Sequence, residues 1–189
     1  MYNTSWNDFI GKNSNNLTGA FEDLARYLFR KKYDVSYALP YFKNHPGNET
    51  AVIKRGDEVI GFQAKYFENE IDATNIIHSI QLAKKWCPEQ TLLVIYTNKE
   101  FGIPKTKGKV TSQKQDKIQK FANDLGIRLE WMFGDNILDV VKETPVAYDI
   151  YFNQKSHLQN LNHDLEECNE AKLSRINDNI KYGDKNISI

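Results

Sequence analysis

Cysteine is scarce in this chain of 189 residues: Cys87 and Cys168 are far apart and lack metal-ligand spacing. A disulfide scaffold and a cysteine-based zinc centre are thereby excluded, and two reduced thiols are expected. Long apolar runs are missing as well. The densest, Leu92 to Tyr96, is far too short to span a bilayer, and the mean hydropathy is −0.62. No basic start followed by an apolar stretch and a small-residue cleavage site opens the sequence, so no export signal and a cytoplasmic location are expected. P-loop, dinucleotide fingerprint and nucleophile elbow are all absent, so nucleotide hydrolysis is not expected from these residues. Net charge is lacking too, with 25 basic against 25 acidic residues, which at first sight speaks against a nucleic-acid partner.

What is present suffices for a folded domain. Hydrophobic residues make up 40% and aromatics 12%, enough for a core, and the length suits one domain with an appendage. The Asn- and Ser-rich start, residues 1–16, reads as a loosely held segment whose Trp6 and Phe9 dock on the core. Phe21, Leu24, Ala25, Leu28 and Phe29 then recur at helical spacing, predicting a helix over 18–32 capped by Thr18. An edge strand is expected over 35–42, limited by Pro40. Two strands, 49–54 and 58–66, flank a hairpin turn at Arg55-Gly56-Asp57. A helix over 72–86 and a buried strand over 91–97 follow, then a helix over 112–125 and a strand over 127–133. A short helix over 137–142 and a last strand or extended piece over 146–152 complete the domain. Beyond residue 153 the aromatics vanish until Tyr182, and Leu158, Leu161, Leu165, Leu173 and Ile176 recur among charges. Residues 1–153 therefore read as an α/β domain, a mixed sheet flanked by helices, and 154–189 as a helical arm in need of a partner surface.

The residues that carry chemistry gather around the hairpin. Gln63 and Lys65 are two apart on one strand, so they share a face, and Gly61 upstream leaves room beside the backbone. A lysine in so apolar a strand calls for a partner acid. Glu49 across the hairpin and Glu22 on the first helix are the candidates. A carboxylate, an amide oxygen and a lysine together suit a hard cation such as Mg²⁺, which takes few protein oxygens and completes its shell with water and phosphate. Glu49 would be the main ligand and Gln63 a weaker one. Lys65 would orient the attacking water and offset charge on the phosphate. The competing reading of the same spacing is an ordinary cross-strand ion pair between Glu49 and Lys65.

Order adds to spacing. A helix bearing Phe21-Glu22-Asp23-Leu24-Ala25, then Gly47-Asn48-Glu49, then Phe62-Gln63-Ala64-Lys65-Tyr66, resembles the PD-(D/E)xK nuclease superfamily. More narrowly it resembles the Mrr-like restriction-endonuclease branch, whose motif ends QxK, and within it the nuclease domains that precede bacterial antiviral STAND-type NTPases. The resemblance implies a restriction-endonuclease-like fold, Mg²⁺-dependent (or Mn²⁺-dependent) cleavage of double-stranded DNA, and Glu22 as a ligand through water or an orienting group. It also implies a homo-oligomer in the full-length protein, with the arm leading toward an NTPase module. One departure is the Glu at position 49, where the family has Asp; with the uncharged Gln63 it predicts weak metal affinity until substrate phosphate completes the site. The alternative from another class is a catalytically inactive nuclease-like domain that binds DNA or protein, or mediates oligomerisation.

The remaining residues of interest are basic. Residues 99–120 hold seven basic side chains against two acidic, while 121–152 hold two against six, so neutrality arises by cancellation. Lys105, Lys107, Lys109, Lys114 and Lys117 are the expected phosphate contacts, a solvated loop being the bland alternative. His78 reads as structural, His45 as a turn residue and Gln81 as solvent-facing, and His157 and His163 lack zinc partners.

Overall fold

The computed structural model describes residues 4–35, 47–102 and 111–154. The expected strand over 35–42 (Val35 apart), the arm beyond Gln154, His45, Cys168 and the lysines at 105, 107 and 109 lie outside them.

Among the described residues, six helices flank a four-stranded mixed sheet. In chain order they are α1 (Trp6–Lys12), α2 (Leu17–Lys32), β1 (Ile53–Arg55), β2 (Glu58–Lys65), α3 (Ala73–Trp86), β3 (Leu92–Thr97), α4 (Gln113–Asp124), β4 (Arg128–Met132), α5 (Gly134–Lys142) and α6 (Pro145–Tyr151). The strands lie in the order β1-β2-β3-β4, antiparallel between β1 and β2 and parallel thereafter. The expected class, a mixed sheet flanked by helices, is the one observed.

All six residues of β3 are buried, and their alternation splits the core in two. Leu92, Val94 and Tyr96 join Ile60, Phe62 and Ala64 of β2 against α1, α2, α5 and α6. Leu93 and Ile95 pack with α3 and α4 on the opposite face. Gln63 pairs in register with Ile95, and Lys65 with Thr97, so both belong to the α3/α4 face. At the carboxyl ends of β2 and β3, the Asn98 side chain accepts from the Phe67 amide (2.8 Å) and donates to the Phe67 carbonyl (2.9 Å).

Four expectations are corrected. From Ser5 onward the first segment is not loose: α1 opens on a capping box between Ser5 and Asp8, while Trp6 and Phe9 pack on Phe21 and Phe152 as expected. The cap of α2 is Asn16, which accepts from the Gly19 amide (3.0 Å), rather than Thr18. Residues 146–152 form helix rather than strand. Pro145 at the first turn sets the backbone, Ala147 and Phe152 are buried, and Lys12 of α1 reaches the Asp149 and Asn153 carbonyls. Finally, the strand expected over 49–54 is reduced to β1. Continuing its register would set Glu49 opposite Ala64, yet the Glu49 amide donates to the Phe62 carbonyl (3.0 Å). The chain therefore bulges between the two sites of pairing, as is common beside active sites.

Candidate active site

The bulge delivers Glu49 sideways onto the end of β2. Its Oε1 accepts from the Ala64 amide (3.2 Å) and from Gln63 Nε2. The carboxylate thus takes the place of a missing strand partner. Glu49 and Gln63 are both buried, at 7% and 6% exposure. Glu49 Oε2 takes no hydrogen bond among the described residues, and Gln63 Oε1 is buried with no partner. A buried acceptor left unmade costs about 1–3 kcal/mol, so an unpaired amide oxygen beside a carboxylate calls for a further group.

Lys65 is half-buried at the last position of β2. No direct ion pair joins it to Glu49 among the described residues, which removes the ordinary cross-strand pair as an explanation. The two act on each other through space instead. Burial pushes the Glu49 carboxyl up to about 7. The Ala64 amide opposes that rise, the Glu22 charge adds to it, and Lys65 and Arg26 oppose it. Burial lowers the Lys65 ammonium, against the pull of Glu49 and Glu22. Glu22 comes from the other face of the sheet but reaches the same strand end, because the neighbouring Phe21 ring lies 5.9 Å from that of Tyr66, just past Lys65. Glu49, Gln63 and Lys65 thus lie together at the carboxyl end of β2, with the Glu22 charge within electrostatic reach of Glu49 and Lys65.

The donor set suits a hard divalent cation: the Glu49 carboxylate and the Gln63 amide lie next to each other, the amide bonded through Nε2 and unpartnered at Oε1, with a second carboxylate, Glu22, within electrostatic reach. No cluster of three His, Cys, Asp or Glu side chains suited to a metal occurs among the described residues, so the amide oxygen of Gln63 is needed to complete a protein ligand pair.

The basic segment is described only at its end. Lys114 and Lys117 are exposed on α4, which covers the face that carries Gln63 and Lys65. Lys114 forms a 2.8 Å ion pair with Glu70, five residues past Lys65, which places the start of α4 near the same strand end and offsets part of its charge. His78 and Gln81 are exposed on α3.

Three contributors escaped the reading of the sequence. Arg26, one turn after Glu22 on α2, adds positive charge at Glu49, and the i, i+4 spacing was the available signal. Asn48 and Gln90 form a buried amide pair beside Glu49. Its only trace in sequence is Gly61, the gap over which the pair passes. No protein-family model matches the chain, and no curated protein matches it significantly.

Proposed function

We propose that the chain is a metal-dependent endonuclease domain that hydrolyses phosphodiester bonds of double-stranded DNA. The observation that supports this best is the buried Gln63 amide, bonded to the Glu49 carboxylate through Nε2 and left unpartnered at Oε1, with Lys65 on the same face. Mg²⁺ or Mn²⁺ held there would supply an activated water and offset charge on the phosphate. Glu49 is the principal ligand, Gln63 the auxiliary one, and Glu22 a ligand through water. Lys65, its ammonium destabilised by burial, donates to the phosphate oxygens and orients the water. Lys114 and Lys117, with the lysines at 105, 107 and 109, are the phosphate contacts that hold the duplex. The family resemblance extends this reading to an effector module of an antiviral defence protein, which residues 154–189 would join to an NTPase.

A second reading, a nuclease-like module that binds without cutting, draws on Glu49 itself, since a carboxyl pushed up to about 7 is half protonated near neutral pH and then a poor ligand. Plasmid nicking separates the two. The wild type should nick supercoiled DNA with Mg²⁺ and not in EDTA, and Lys65→Ala should nick about 10²–10³-fold more slowly. Equal nicking by Lys65→Ala would sink the site assignment. Duplex binding without nicking would establish the module instead.

A further inference from the structure

We infer that Gln90 is a positioning residue for Glu49, acting through Asn48; this rests on the nuclease reading above. Gln90 precedes β3 and is fully buried, and Asn48 is 3% exposed. Asn48 Nδ2 donates to Gln90 Oε1 (2.9 Å), and Gln90 Nε2 donates back to Asn48 Oδ1 (3.3 Å) and to the Leu92 carbonyl (3.0 Å). The second amide is therefore anchored to the backbone of β3, and the first is anchored to the second.

The pair crosses β2 over Gly61, where a Cβ would run into both amides. On its other side, Gly47 adopts φ +99° and lies so close to α3 that a Cβ would strike the Ala83 backbone. The three residues Gly47-Asn48-Glu49 are thus held in succession by α3, β3 and β2. The last hold is the bond from the Glu49 amide to the Phe62 carbonyl.

Packing alone does not require this arrangement, because two apolar side chains would fill the same volume without desolvating four polar atoms. What an amide pair adds is orientation: each member accepts and donates in one geometry only. Beside the bulge the ladder is reduced to the bridge at Thr50 and the bond from the Glu49 amide to Phe62, so the amide pair adds a further hold, setting where Oε2 stands relative to Gln63 Oε1. Partners that orient a metal-binding carboxylate are typically worth about 10–100-fold in metal affinity or activity.

The test compares the wild type with Gln90→Met in the full chain, using Mn²⁺ titration calorimetry and plasmid nicking. A stability control comes from Ile127→Val or Ile127→Ala, whichever matches the Tm of Gln90→Met; Ile127 is a buried residue of the α3/α4 core. The expected result is about a 10-fold weaker Mn²⁺ Kd and a similar fall in kcat for Gln90→Met, with the KM for DNA within about two-fold, while the control keeps both values. Should Gln90→Met fail to fold, Gly61→Ala carries the same comparison, since it displaces the pair without removing either amide. Equal losses in variant and control would reduce Gln90 to a stabilising residue and overturn the inference. So would wild-type Mn²⁺ affinity and kcat in the variant. A wild type that neither binds Mn²⁺ nor nicks DNA overturns the nuclease reading and this one with it; an active wild type with an indifferent variant overturns this one alone.

Discussion

Glu49 takes up a proton more readily in the folded chain than in an open one, because burial lifts its carboxyl from the ordinary 4.5 to about 7. The sign of the consequence is fixed. Between those two values the folded state binds the proton and the unfolded state releases it, so stability falls as pH rises through that window. The loss is at most about 3–4 kcal/mol, taking about 1.4 kcal/mol for each pH unit. Glu49→Gln carries no such proton. Urea unfolding at pH 5 and pH 8 should therefore show the wild type losing stability relative to Glu49→Gln as the pH is raised. Parallel behaviour of the two proteins would mean that the folded state does not desolvate this carboxyl. If a divalent cation is the missing neighbour, Mg²⁺ should restore part of the difference at pH 8 and none at pH 5.

Among the elements, α1 makes the clearest claim to a structural role. Its seven residues are too few to hold as an isolated helix, so its stability comes from the capping box and from Trp6 and Phe9 in the aromatic core. Ser5→Ala should lower unfolding stability by about 1 kcal/mol, measured by urea titration; an unchanged midpoint would mean that the ring contacts alone hold the helix. Elements also differ most in how plainly the sequence declares them. Helices with a long apolar stripe, such as α2, and the wholly apolar β3 declare themselves, because one periodicity persists over several turns or pleats. Seven-residue helices do not. In α6 the β-branched and aromatic residues read as strand, and Pro145 at the first turn together with packing against α1 and α2 decides for helix. The shortening of β1 had no local sign either, since Ala51 and Val52 suit a strand and the bulge is imposed by tertiary bonds at Glu49.

At the scale of the molecule, the pairing of Glu49 with Gln63 was legible because hairpin geometry links residues close in sequence. The Asn48–Gln90 pair was not, since it joins positions 42 residues apart through the β2–α3–β3 crossover. Charge shows the same contrast. The cancelling blocks are visible in the sequence, but the ion pair that draws Lys114 to Glu70 is not. DNA affinity should accordingly fall with salt, and Lys117→Ala should reduce the log–log slope by roughly 1. Lys114→Ala should reduce it by less, because part of its charge is already offset by Glu70. Fluorescence anisotropy with a labelled duplex across a salt series measures both slopes. Identical slopes in the wild type and both variants would mean that α4 does not touch the duplex.

Gly61 bears on how related chains would vary. A side chain at that position displaces the amides at positions 48 and 90, and a smaller pair there leaves a void that a glycine cannot fill. The three positions should therefore change together in descent, and single replacements should be non-additive with one another by more than those of residues that do not touch. Covariation among 48, 61 and 90 would be a record of this crossing, legible without any structure.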